Sequence, residues 1–385
     1  MIPCQRHLFD IPADVAYLNC AYVSPLMWSV RDAGVRGVER KMRPWTLFAE
    51  DFFTEADEAR GLFARLIGAT ADDVAIVPAA SYGTATAASN IGVSRGQRLV
   101  VVGEEQASNV YPWRELARAR GGELVTVPRP ADEDWTAALL GAIDERVAVV
   151  AAPNCHWTDG GLIDVVSIGR HCRAVGAALV LDVTQSCGAL PIDVTQAQPD
   201  FLVSATYKWL LGPYSLGFLY VAPHRQTGRP IEHNAFQHSR EPRFGGPVTY
   251  PDEYAVGARR FDMGERANFA TMPMAIAAMK QILGWGVPAI AETLAVRTAD
   301  IAARAAALGL FTVPRPLRAG HYIGIRHTDA VPVELTERLA KNKVMVSVRG
   351  GRTLRVTPHL WNTDADVDRL FEVLALPTDP LPHRA

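Results

Sequence analysis

Hydrophobic and polar positions follow two rhythms along the middle of the chain. Short runs rich in Val, Leu and Ala recur at LVVVGEE (99–105), AVVAAPN (148–154), AALVLDV (177–183), FLVSAT (201–206) and LGFLYVAP (216–223). Each has strand length and is bounded by turn residues or acids. Between them, WRELARARG (113–121), DWTAALLGAI (134–143) and VSIGRHCRAVG (166–176) carry helical periodicity, and Gly121 and Gly176 close the first and third. A further strand, VAIV (74–77), runs into a small-residue helix start, PAASYGTATAAS (78–89). Strand–helix–strand alternation predicts a mostly parallel sheet with right-handed crossovers and a ligand site at the carboxyl ends of the strands. From about Pro288, helical Ala/Leu/Arg patterns alternate with weaker strands, HYIGIRH (321–327) and KVMVSVR (343–349), which predicts a second, smaller α/β unit. Gln226–Tyr254, rich in Pro, Gly, His and Arg, reads as a connecting or substrate-facing loop.

Composition narrows the class. The 385 residues are 49% hydrophobic and 21% charged, which suits two or so globular domains and excludes wholesale disorder. Lys+Arg 39 against Asp+Glu 41 leaves a net charge of −2, so no electrostatic reason to bind nucleic acid exists. No apolar window approaches the ~18 residues of a membrane span, and the N-terminus has no basic-then-apolar secretory pattern. The five scattered cysteines read as small buried hydrophobes of a reducing cytosol. A cytoplasmic protein that engages neither membrane nor nucleic acid is therefore expected. No metal is expected either: CxxC and HExxH are missing, and His156 beside Cys155 does not make a site.

Three features need a chemical explanation. Lys208 follows an apolar strand and sits among Tyr207, Trp209, Leu210 and Leu211. Apolar surroundings would lower its pKa and free the amine for Schiff-base chemistry; alternatively its stem packs on Trp209 with the head in solvent. Asp182 ends the strand AALVLD and needs a cation or donor as partner, with Gln185 in reach, or else it caps the next helix. Ser81, Gly83 and Thr84 open a helix whose free N–H groups suit a phosphate, or are simply its cap. Neither GxGxxG after a strand nor GxxxxGK[ST] occurs, which disfavours dinucleotide and P-loop folds. Phosphate-type helix start, strand–Asp, then lysine, with an arginine-rich strand near the C-terminus, is the order of parts that a pyridoxal phosphate site requires.

LVLDVTQSCGALPIDV (179–194) followed by DFLVSATYKWLLGP (200–213) resembles the class V aminotransferases of the fold-type I pyridoxal-phosphate enzymes, a group that includes cysteine desulfurases, kynureninase and isopenicillin-N-epimerase-like proteins. YLNCAYVSPL, EEQASNVYPW, NCHWTDGGLID, RRFDMGERANF and TLRVTPHLWNTDADVDRL extend the likeness over nearly the whole chain. It implies an N-terminal segment (1–20), a large cofactor domain (21–270) with a seven-stranded-type, mostly parallel sheet, and a small C-terminal α/β domain (271–385). It implies Lys208 as Schiff-base lysine and proton carrier, Asp182 at the pyridine nitrogen and Gln185 at the phenolic oxygen. Ala80, Ser81, Tyr207 and Thr206 would hold the phosphate, Gln106 would face the ring, and Asn268 would reach a neighbouring subunit's phosphate in a homodimer with active sites at the interface. Arg355, with Ala21, Tyr22 and Trp157, would meet an amino-acid substrate.

Departures from the family pattern carry information. VSVRGGRTLR (346–355) holds no cysteine, which argues against a persulfide-forming desulfurase. Gln106 replaces the usual His or aromatic residue, and Trp157 replaces a polar one. Arg349, Arg352 and His359 add positive charge, fitting either a second anionic group on the substrate or a solvated basic surface. Transamination is the first reading of the reaction, elimination from a sulfur-bearing amino acid the second, and epimerisation the third.

Overall fold

The computed structural model describes residues 1–238 and 250–376. Part of the stretch read as a long loop, 239–249, lies outside the described residues. Seven strands form the main sheet: β1 (Val74–Val77), β2 (Arg98–Val102), β3 (Glu123–Val127), β4 (Val147–Pro153), β5 (Ala178–Asp182), β6 (Phe201–Ala205) and β7 (Gly217–Val221). Their spatial order is β1-β7-β6-β5-β4-β2-β3, parallel except that β7 runs against both neighbours. β1, β4, β6 and β7 are buried at every position, as strands covered on both faces must be, and this is why they read as unbroken apolar runs. β3 lies at the edge and is half solvated, so its sequence ELVTV lacks that signature.

Helices cover the sheet: α1 (Trp28–Lys41), α2 (Thr54–Ile67), α3 (Ala80–Asn90), α4 (Tyr111–Arg120), α5 (Trp135–Ala142) and α6 (Val165–Val175). Gly121 and Gly176 stop α4 and α6 with φ of 68° and 76°, the left-handed geometry that glycine adopts at least cost. Asp134 and Asp164 start α5 and α6 by accepting first-turn N–H groups. Two longer helices follow, α7 (Thr271–Trp285) and α8 (Val287–Ala307). No single helix among the described residues is long and apolar enough to cross a membrane.

A second sheet is antiparallel, in the order β10-β11-β9-β8: β8 (Phe311–Thr312), β9 (Ile323–Arg326), β10 (Ser347–Arg349) and β11 (Thr353–Val356). The run KVMVSVR is split between two pairings. Val344–Met345 pairs in parallel with Ala16–Tyr17, while Ser347–Arg349 joins the four-stranded sheet. The N-terminal segment is thereby stitched to the smaller unit, and Ala16 and Leu18 share a core with Ile323, Leu354 and Phe371.

Packing locates the change from one core to the other inside α8. Met272, Ala275, Met279 and Ile282 of α7 belong to the core that α1 and α2 share with the main sheet, as do Ile290 and Leu294 of α8. Ile301 and Ala305, further along α8, belong to the smaller unit's core. The division expected after residue 270 thus falls ahead of a helix packed with what precedes it. At the α1–α7 crossing, a Cβ on Gly37 would run into the Phe269 carbonyl. Gly37→Ala should therefore cost about 1–3 kcal/mol, the price of overpacking a tight contact. Denaturant unfolding reads this directly, and an unchanged midpoint would show that the contact yields.

Candidate active site

The carboxyl ends of β1, β5 and β6 meet at a cavity of ≈ 250 Å³. Its wall includes Ala80, Ser81, Gln106, Trp157, Asp182, Gln185, Tyr207 and Lys208, eight of the residues singled out from sequence. Thr206, Ala21, Tyr22, Asn268 and Arg355 are off that wall. The first turn of α3 directs its unpaired N–H groups to this end of the sheet, where Ala80 and Ser81 line the space.

Lys208 is 8% exposed, so the arrangement with its head in solvent does not occur. Burial lowers its pKa to about 8. Asp182 opposes that shift, while Arg355 and Arg349 reinforce it. Asp182 closes β5, and its Oδ1 accepts the Thr184 N–H at 2.9 Å. Desolvation raises its pKa, against the lowering pull of Thr184 and Lys208. A partly shielded carboxylate and a shielded amine thus share one space, each easing the other's burial.

The loop that carries Lys208 joins β6 to the antiparallel β7, so both of its ends are anchored at one edge of the sheet. Thr206 ties it closed. Its N–H donates to Leu216 O at 3.0 Å, its carbonyl accepts from Gly212 N at 2.9 Å, and its hydroxyl lies 2.5 Å from Pro213 O. Thr206 is fully buried with its hydroxyl engaged in this way, so it fastens the loop and offers nothing to the cavity.

Gln185 is held from three sides. Trp209 Nε1–H donates to its Oε1 at 3.3 Å, its Nε2 donates to Ala21 O at 3.4 Å, and His321 Nε2–H donates to its backbone carbonyl at 2.7 Å. Ala21 acts through its carbonyl, from behind the wall, and Tyr22 is 58% exposed. Gln106 faces the cavity and donates its N–H to Glu105 Oε1 at 2.6 Å.

Glu105 is a titratable lining residue that sequence reading missed. Desolvation, with Asp182 adding to it, pushes its carboxyl up to about 8, and its Oε2 has no hydrogen-bond partner among the described residues. The available signal was its place three residues past the end of β2, at the carboxyl edge where ligands bind.

Trp157 joins the cavity to the smaller sheet. Its Nε1–H donates to Glu104 O at 2.5 Å, and its carbonyl accepts from Arg355 Nη1 at 3.3 Å and from the Tyr322 hydroxyl. Arg355 is 1% exposed, donates from Nε to Ser347 Oγ at 3.0 Å, and stands behind the indole. Asn268 caps α7, accepting from Ala270 N and Thr271 N at 3.0 and 2.9 Å. His156 has a structural place: it stacks on Trp135 at 4.8 Å and bonds Gly103 O and Thr158 Oγ1.

The sequence profile of the aminotransferase class-V family matches residues 40–370. The chain belongs to the class-V aminotransferase family. It is 27% identical to the uncharacterized aminotransferase YcbU of Bacillus subtilis over 333 residues, 83% of each chain. It is 26% identical to isopenicillin N epimerase of Streptomyces clavuligerus, over 82% of this chain and 83% of that one. Among solved structures, a C-DES variant with glycine covalently linked to its PLP cofactor aligns with TM-score 0.85 at 15% identity, covering 96% of this chain and 99% of that one. The architecture is therefore fold-type I, and this class-V chain is an enzyme of the aminotransferase or lyase type.

Pyridoxal phosphate is the family's cofactor, and the donors of the cavity fit it. An anion-binding helix start, a shielded lysine, a strand-end carboxylate and the Glu105 carboxyl all line the same space.

Proposed function

We propose that this class-V enzyme is an amino-acid transaminase that holds pyridoxal phosphate through Lys208. One observation carries the reading: a lysine with a pKa of about 8 shares a shielded cavity with Asp182, at the start of α3. When bound, the cofactor supplies an electron sink for the bond broken at the substrate α-carbon. Lys208 Nζ would hold the cofactor and carry the proton at the substrate α-carbon. The Asp182 carboxylate would hold positive charge at the ring nitrogen, and the Gln185 amide would hold the phenolic oxygen. The Ala80 and Ser81 amides, with Tyr207 opposite, take the phosphate. Gln106 covers the ring with a neutral amide that cannot carry the proton a histidine would. Arg355 orients the substrate carboxylate.

Transamination has a relative behind it, since YcbU of Bacillus subtilis bears the name aminotransferase. Persulfide chemistry has no support from the four buried cysteines. Burial drives the thiols of Cys20 and Cys155 well above their usual range and those of Cys172 and Cys187 up to about 12, far from a ready thiolate. All five cysteines are free, which suits a reducing cytoplasm.

A homodimer is part of the proposal. Val35, Val38 and Met42 form an exposed apolar stripe on α1, continued by Trp45 and Phe48, and Met42 and Trp45 are 72% and 75% exposed. The stripe's helix contacts Phe269, next to Asn268. A second copy seated there would cover the stripe and bring Asn268 to its neighbour's phosphate.

Candidate amino acids added to the yellow holoenzyme separate the chemistries. Accumulation of the pyridoxamine form marks transamination, pyruvate and ammonia without it mark elimination, and inversion at the α-carbon marks epimerisation. A protein that stays colourless with added pyridoxal phosphate overturns the reading altogether. Arg355→Ala should lower kcat/KM for carboxylate substrates by at least about 30-fold while cofactor absorbance survives, as expected when one partner of a buried charge pair is truncated. Unchanged kcat/KM would remove Arg355 from the substrate site.

A further inference from the structure

Strand register puts three arginines on one face of the smaller sheet. Arg355 of β11 stands opposite Ser347, and Arg349 stands opposite Thr353, two positions from each of them. Arg326 of β9 also stands opposite Thr353. Positions that face each other or lie two apart on a strand share a side, so the three guanidinium groups emerge together. Only one of them is neutralised. Arg326 is ion-paired with Glu133 and with Asp159, at 2.5 and 2.9 Å. Neither Arg349 nor Arg355 has a carboxylate partner among the described residues.

Neither of these arginines lines the cavity, but both stand against one side chain that does. Their guanidinium carbons lie 5.5 and 5.9 Å from the centre of the Trp157 ring, which lines the cavity. Among the described residues, Arg349 Nη1 donates to its neighbouring Val348 carbonyl, at 2.8 Å, and its buried Nε has no hydrogen-bond partner. Arg355 Nη2 is likewise buried with no hydrogen-bond partner among the described residues. An aromatic ring lessens the cost of a nearby cation but does not cancel the repulsion between two. The arrangement calls for two negative charges, and an α-carboxylate provides one.

We propose that Arg349 binds a second anionic group, so that the preferred substrate of this site is an acidic α-amino acid with a side-chain carboxylate. This rests on the reading of Arg355 as the α-carboxylate partner. The forked donors of each guanidinium match a carboxylate, and their separation across a strand pair sets the two charges apart along the substrate.

Glutarate and butyrate test it without turnover, since neither has an amine. The holoenzyme is first confirmed by its visible band, so failure of the cofactor reading would be seen before any titration. Calorimetric titration should then show glutarate binding at least ~10-fold tighter than butyrate, the scale of one charge-assisted pair at a partly shielded site. Arg349→Gln should bring that ratio close to one while leaving butyrate affinity within about 2-fold. Arg349→Lys, which keeps the charge and loses the fork, should retain an intermediate preference and so guards against a misfolded glutamine variant. Equal affinity of the native protein for the two ligands overturns the proposal: both arginines then grip one carboxylate. A ratio unaltered in Arg349→Gln overturns it too.

Discussion

Lys208→Ala should yield a protein without the yellow band and with turnover reduced by at least about 10⁴-fold, the upper range for removing a positioned acid–base group. The expectation follows from how isolated the amine is. Lys208 is 8% exposed, and the other cationic groups acting on it, Arg355 and Arg349, are guanidiniums too basic to serve as nucleophile or base. Borohydride should fix the cofactor to the native chain and not to the variant. Uptake offers a second check. Because burial brings the amine to about 8, the rate at which apoprotein captures pyridoxal phosphate should climb as pH rises through that value. A flat profile from pH 7 to 9 would mean that the amine is not limiting. A variant that keeps its band would move the attachment to another residue.

Acid should unfold this protein earlier than its carboxylates alone require, because two imidazoles are buried in neutral form beneath the lysine loop. His321 meets the edge of Trp209 at 4.4 Å, and His359 stacks on Trp361 at 4.7 Å. Burial lowers His321 from the usual 6.5 to about 4 and His359 to about 3, with His321 adding to the latter shift. The unfolded chain takes up these protons near pH 6.5 and the folded chain does not, so stability is complete above 6.5 and falls as pH drops toward 4. At about 1.4 kcal/mol per unit, His321 alone accounts for about 3 kcal/mol of loss across that window. His359 is the cleaner probe, since neither ring nitrogen has a partner among the described residues. His359→Phe should match the native protein in urea midpoint at pH 7 and exceed it at pH 4.5. Parallel pH dependence of the two midpoints would assign the acid sensitivity elsewhere.

The parts of the site that could be read from sequence are those fixed by strand ends. Asp182 and Lys208 follow apolar runs whose full burial makes them conspicuous, and chain order alone brings both to the carboxyl edge. What could not be read depended on contacts distant in sequence. Thr206 looks like any hydroxyl beside a lysine until Pro213 and Leu216 close over it. Glu105 looks like one of two surface acids, yet Glu104 pairs with Arg129 in the open while Glu105 turns inward. The three arginines of the smaller sheet are alike in sequence, and only the approach of Glu133 and Asp159 sets Arg326 apart. Edge strand β3 was inconspicuous for a related reason, since half of it faces water and carries no apolar run.

The closed loop around Lys208 also bears on the cost of loading the enzyme. Each residue fixed in one backbone conformation costs about 1–2 kcal/mol of entropy. Here that ordering is met during folding, by the Thr206 bonds and by β7 returning to the same edge, before any cofactor arrives. Capture is then closer to docking on a rigid surface than to folding upon binding, and little of its free energy is diverted into shaping the loop. Amide hydrogen exchange at Thr206 and Gly212 should accordingly be as slow in the apoprotein as in the loaded enzyme.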